Sequence, residues 1–155
     1  ADLVVVSFHG GAEGLAAAST PRGDEYFYGE YRGNVRKFAH SMIDAGASLV
    51  LGHGPHTLRG VERYGGGLTA YSLGNFVGYA AFSTSGHLKY SIILRVTLDK
   101  GGVVQKVKAV PLILSPAAVP KVDPQARALT LLNDLSKADF GPQAVFFDEA
   151  GEWRP

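Results

Sequence analysis

The run Ile43-Asp44-Ala45-Gly46-Ala47-Ser48-Leu49-Val50-Leu51-Gly52-His53-Gly54-Pro55-His56 decides how this chain is read. Its first residues close an amphipathic helix, Asn34 to Ala45, in which Val35, Phe38, Ala39, Met42 and Ile43 recur at i, i+3, i+4, i+7 and i+8. Asn34 suits the N-cap, and Gly46 suits the left-handed position after the last turn. Ala47 to Leu51 is then a short apolar strand that delivers Gly52-His53 at its C-terminal end. Upstream, Leu3, Val4, Val5, Val6 and Phe8 form a nearly continuous apolar run over Asp2 to Phe8, which predicts a parallel strand covered on both faces. That strand ends at His9. Two strands joined by a helix make a βαβ unit, and ligand-binding groups in such sheets gather outside the carboxyl ends of the strands.

Downstream, Leu58 to Tyr64 reads as a short helix or extended piece, Gly65-Gly66-Gly67 as a turn, and Leu68 to Leu73 as a strand. Tyr90 to Leu98 and Val103 to Leu114 predict a β-hairpin around Asp99-Lys100-Gly101-Gly102, with Pro111 placing the end of the second strand at an edge or near a bulge. Asp123-Pro124 opens a second helix to about Ala138. Phe146, Phe147 and Trp153 are expected to pack back as a terminal strand or clasp. Between His9 and the first helix lies a long polar loop carrying Tyr26, Phe27, Tyr28 and Tyr31, and loops of that length are usually functional or disordered. The whole reads as one α/β domain, residues 1–155, with no internal boundary.

Three histidines stand out by position. His53 and His56 lie three apart on a turn stiffened by Pro55 and loosened by Gly54, and His9 ends the neighbouring strand. Neutral imidazole is the commonest side-chain ligand for Zn, Mn, Fe and Ni. One strand-end histidine is more often a hydrogen-bonding residue than a ligand, but three converging on one sheet edge favour a metal site. Glu13 is a candidate ligand, a general base or a plain loop carboxylate. Arg59 is either a fork for a phosphate or carboxylate of the substrate, or a surface salt bridge. Asn75 is a candidate to contact substrate or to orient a ligand histidine, against the plainer reading of a turn residue beside Gly74. His40 reads as solvated, and His87 as a loop residue.

These segments resemble the CapA-type family, linked to poly-gamma-glutamate capsule synthesis. His9-x-Gly11-x-Glu13 is similar to that family's H-W-G-x-E-Y, with Gly10 for Trp and Gly14 for Tyr. Ile43 to His56 resembles its I-D-A-G-A-D-L-V-I-G-H-H-P-H, with Ser48 for Asp and Gly54 for the second His. Ala70-Tyr71-Ser72-Leu73-Gly74-Asn75-Phe76 resembles its A-Y-S-L-G-N-F. Order and spacing agree over residues 2–77. The resemblance implies a calcineurin-like metallophosphoesterase fold, two β-sheets flanked by helices, an α+β sandwich. By position it makes His9, His53 and His56 metal ligands, His53 and His56 standing for a G-H-x-H element with one residue added. The family places its early Asp and Asn-His motifs upstream of the H-x-G-x-E element, so the chain is expected to be the C-terminal half of such a domain. A dinuclear Mn, Zn or Fe site would then be complete only in the whole domain, with a missing N-terminal half or a second copy completing the sheets.

Two functions follow. One is a metal-dependent phosphoesterase-type hydrolase in which His56 or Glu13 handles protons. The other is a non-catalytic polyanion-binding or interaction domain that assists polymer synthesis or export. With 46% hydrophobic and 19% charged residues and a net charge of +1, the chain is an ordinary globular sequence with no electrostatic case for nucleic acid. No stretch approaches the length of a membrane span. The absence of cysteine excludes disulfides and thiolate ligands. The resemblance implies the bacterial cell envelope or the extracellular space, with the cytoplasm left open.

Overall fold

The structure is a computed structural model that describes residues 2–78 and 81–153. The βαβ unit is present as expected. Strand β1 (Val5–His9) pairs in parallel with β4 (Leu49–His53), and helix α1 (Val35–Asp44) connects them. Asn34 caps α1 by accepting a hydrogen bond from the Lys37 N–H at 3.0 Å. Two further strands, β5 (Val61–Tyr64) and β6 (Gly67–Ala70), complete a four-stranded sheet in the order β1-β4-β6-β5. Leu58 to Tyr64 therefore resolves as extended rather than helical.

The aromatic segment is a hairpin rather than an open loop. Strands β2 (Glu25–Phe27) and β3 (Glu30–Gly33) pair around Tyr28-Gly29, both with positive φ, 50° and 82°. Such a turn matches the twist of two adjoining strands. Tyr26, Tyr28 and Tyr31 stand exposed on it.

The second sheet is built on the predicted long hairpin, β7 (Tyr90–Leu98) and β8 (Val104–Leu114). The far edge of β8 is shared by β9 (Pro120–Val122) and by β10 (Glu152–Trp153), so the terminal clasp is real. Pro111 lies between the two stretches of β8 that these strands pair, where a missing N–H costs no ladder bond. Helix α2 (Arg127–Phe140) packs beside this sheet.

Alternation along β4 shows how the layers form. Val50 faces α1 with Val35, Ala39, Ile43 and Tyr71, while Leu49 and Leu51 face the opposite core with Val107, Ala109 and Leu132. The first sheet is thus covered by α1 on one side and by the second sheet with α2 on the other, a mixed α/β sandwich. Burying one Leu or Val in such a core stabilises by roughly 1.5–3 kcal/mol.

Strand β1 departs from expectation. Its apolar run is not covered on both faces: Leu3, Val4 and Val5 are 40%, 42% and 53% exposed, and among the described residues β4 is its one neighbour. The open edge is what a further strand would cover.

Helix α2 starts three residues later than the Asp123-Pro124 signal suggests. Ala126 takes a left-handed conformation with no cap from its own side chain. Buried Asp123 substitutes from a distance: its carboxylate accepts from the N–H groups of Gln125, Arg127 and Ala128 and from the Arg127 guanidinium at 3.1 Å. Burial pushes this carboxyl up, but the hydrogen bonds outweigh it and hold it below the ordinary value. A depressed carboxylate stabilises the fold above its unfolded value of 3.8, and that stabilisation is lost as pH falls through the lower folded value. Asp123→Ala is expected to cost about 1–2 kcal/mol at neutral pH, the range of a lost helix cap. Urea denaturation of wild type and variant from pH 7 down to pH 2 should show the gap closing at the acid end, and a gap independent of pH would refute this account.

Candidate metal-type histidine site

The register of β1 and β4 sets His9 directly beside His53 at the carboxyl end of the sheet. The following turn brings His56 across, its ring 5.9 Å from that of His9 and edge-on to it. A cavity of about 290 Å³ opens there, lined by all three histidines with Ser72, Asn75 and Phe82 among its walls. The turn needs its glycines. Gly54 has φ +118°, and a Cβ on it would sit 2.6 Å from the Gly10 carbonyl oxygen. On Gly52 a Cβ would run into the Tyr71 backbone. The two strand-end loops are also bound to each other, Gly10 N–H to the His53 carbonyl at 2.8 Å and Gly14 N–H to that of Pro55 at 3.0 Å.

His56 is held in an uncommon state. Its φ is +54°, a left-handed conformation that non-glycine residues seldom take and that clusters at functional sites. Buried Asn75 secures it twice: its Nδ2 donates to the His56 carbonyl at 3.1 Å, and its Oδ1 lies 2.8 Å from His56 Nδ1. Because the Asn75 amide hydrogens point to the carbonyl, its oxygen faces the ring, and Nδ1 must carry the proton. The neutral ring then has its lone pair on Nε2, free to bind. Asn75 therefore orients a histidine rather than sitting in a bare turn. Burial first, and then the neighbouring His9, hold His53 below the ordinary imidazole value, which favours the neutral ligand form.

Other candidates lie elsewhere. Glu13 is ion-paired with Arg32, which also holds Glu30, and it does not line the histidine cavity. Arg59 is neither a surface salt bridge nor a substrate fork. It is fully buried, its guanidinium pairs with Glu25 through Nη1 at 2.9 Å and Nη2 at 2.6 Å, and Nε donates to the Ala17 carbonyl at 2.7 Å. The sequence carried no sign of this pairing, because Glu25 lies 34 residues away. His40 is not simply solvated: Nε2 meets Glu62 at 2.9 Å and the ring stacks on Tyr64 with centroids 3.7 Å apart. Phe82 was not anticipated; it stacks obliquely on His56 at 5.1 Å, and nothing in the local sequence marks it.

The donors suit a divalent cation in kind, being three imidazoles around one cavity. They do not complete its site. Among the described residues no three His, Asp or Glu side chains are grouped closely enough to hold an ion, and no carboxylate lines the cavity.

A family model described as bacterial capsule synthesis protein PGA_cap matches residues 1–80, the segment that carries all three histidines and Asn75. The chain belongs to this family. Within the capsule synthesis family it is 39% identical over 77 residues to the PGA biosynthesis protein CapA of Bacillus subtilis (strain 168), and 40% identical over 77 residues to the capsule biosynthesis protein CapA of Bacillus anthracis. Each alignment covers 50% of this chain and 17% or 16% of the relative, so the chain spans about a sixth of the length of these family members. The matched part carries β1 to β6, both strand-end loops and Asn75.

Proposed function

We propose that this chain supplies the histidine-bearing part of a divalent-metal, phosphoesterase-type site in a protein of capsule and poly-gamma-glutamate synthesis at the bacterial cell envelope. The observation that carries the reading is His56. A left-handed histidine, locked by two bonds to a buried asparagine and lining one cavity with two more imidazoles, is costly to build, and such strain clusters at functional sites. His9, His53 and His56 would contribute imidazoles to a Mn, Zn or Fe site that further ligands complete, and a metal bound there would polarise an ester oxygen and acidify water. A calcineurin-like arrangement fits the layers. The anionic ligands that the cavity lacks would come from another segment or a second copy adding to the open edge of β1, the strand that ends at His9. Asn75 sets the tautomer of the neutral His56 ring with its lone pair on Nε2, and Glu13, tied to Arg32, takes no part in proton transfer.

The test is metal content. The chain would be equilibrated with Mn or Zn, freed of excess, and assayed beside His9→Ala/His53→Ala/His56→Ala, with circular dichroism to confirm folding. Retention at a fixed ratio, lost in the variant, is the expected result. Equal retention in both, or none in either, would sink the metal reading and leave the non-catalytic, polyanion-binding role. A hydrolase should also turn over a chromogenic phosphodiester with Mn and lose that turnover on His53→Ala. No helix among the described residues is long and apolar enough to cross a membrane.

A further inference from the structure

A hollow of about 450 Å³ lies between the end of β1, strand β3 and α1. That is the size of an ordinary small-ligand site. Phe8, Tyr31 and Phe38 are its aromatic walls. The rings of Phe8 and Phe38 stand 5.2 Å apart and tilted by 57°, a geometry that aromatic pairs favour. These walls are not closed over. Phe38 falls on the apolar stripe of α1, yet it is 39% exposed, and Tyr31 is 57% exposed. Aromatic side chains gain most from burial, and a cluster of them left open marks a binding surface.

The polar groups around the hollow are few and mostly committed. Asn34 caps α1 and donates to the Arg22 carbonyl and to Asp24, and Ser41 donates to the Lys37 carbonyl. Arg32 is held by Glu13 and Glu30. Lys37 forms no ion pair among the described residues, and no carboxylate lines the hollow. The hollow therefore joins an aromatic interior to one uncommitted positive charge.

We propose that this hollow binds a small aromatic carboxylate, with its ring system among Phe8, Tyr31 and Phe38 and its carboxylate on Lys37. Aromatic walls favour a flat ring over an alkyl chain through edge and face contacts. One uncommitted cation suits a single negative charge rather than a phosphate dianion, and no opposing carboxylate weakens the attraction. The site stands apart from the metal reading: it rests on the aromatic walls and Lys37, and neither a metal nor the histidine cavity is needed for it.

The test is calorimetric titration of the metal-free chain with naphthoate. Naphthylmethanol, hexanoate and acetate are the comparison probes, lacking the charge, the ring and the whole apolar body in turn. Naphthoate is expected to bind most tightly and to shift the backbone amide signals of Gly10, Tyr31 and Phe38. Lys37→Ala should weaken naphthoate about twofold to fivefold, the size of one exposed charge pair, and leave naphthylmethanol unchanged. Phe38→Leu keeps an apolar side chain and removes the ring; it should weaken both naphthyl probes about twofold to tenfold, the size of an aromatic pair, and spare hexanoate. Lys121→Ala, an exposed lysine on β9, should change nothing. No binding of naphthoate, binding no tighter than that of naphthylmethanol or hexanoate, an equal loss in Lys121→Ala, or shifts confined to the histidine cavity would each overturn the site. The open aromatics would then be a face on which another polypeptide segment packs. Metal retention, measured separately, would be untouched by any of these outcomes.

Discussion

Replacing Arg59 with methionine is expected to destabilise the chain by about 3–5 kcal/mol, the usual cost of removing one partner of a buried ion pair. Arg59 is the largest fully buried side chain, and Glu25 is 5% exposed. With the guanidinium gone, the Glu25 carboxylate keeps one bond, from the Ala12 N–H at 2.9 Å, and is otherwise buried without a counter-charge. The carbonyl of Ala17 loses its donor as well. Lysine should not rescue, because a point charge cannot span both carboxylate oxygens and the carbonyl. Adding Glu25→Gln to Arg59→Met should recover part of the loss, since much of it is the stranded charge rather than the pair itself. Urea unfolding midpoints read this directly. A loss under about 1 kcal/mol would show that the segment from Ala12 to Glu25 is not held by this pair.

Glu62→Ala is expected to cost a similar amount, about 3–5 kcal/mol. The carboxylate is fully buried and accepts from the Arg36 guanidinium at 3.2 Å and the Tyr71 hydroxyl at 2.7 Å, with His40 Nε2 at 2.9 Å. It ties α1 to β5 and to the segment after β6. Its loss leaves a nearly buried arginine without its anion and a buried phenol without its acceptor, each a costly orphan. Burial, and then the Glu62 charge, push the Tyr71 hydroxyl well above the ordinary phenol value. Glu62→Gln keeps an acceptor and should cost less than Ala, while making Tyr71 easier to ionise; absorbance of the folded protein in alkali would follow that change. If Ala and Gln behave alike, shape rather than charge explains the site.

Both effects lie outside what local sequence can announce. Arg59 follows the histidine turn and looked like a surface or substrate group, because nothing nearby told of a carboxylate on a distant hairpin. His40 sits off the apolar stripe of α1, which is correctly polar by helical period, and it is Glu62 on β5 that makes it a partner rather than a solvated ring. Glu13 stands four residues after His9, yet its neighbour in space is Arg32 on β3. Each error has the same cause: an ion pair is set by where strands return, and no period of 2 or 3.6 encodes a return.

The βαβ unit, the long hairpin β7–β8, the capped start of α1 and the placing of His9, His53 and His56 at strand ends were all legible in the residues, because these depend on spacing, chain direction and local turn chemistry. The sequence also carried the motifs by which the family is recognised. Packing settled the rest: Asn75 orients the His56 ring, Arg59 and Glu62 are buried anchors, and among the described residues β1 has β4 as its one neighbour. Those facts depend on which residues meet across the sheets and which find no neighbour, and such meetings are set by the packing of the whole chain.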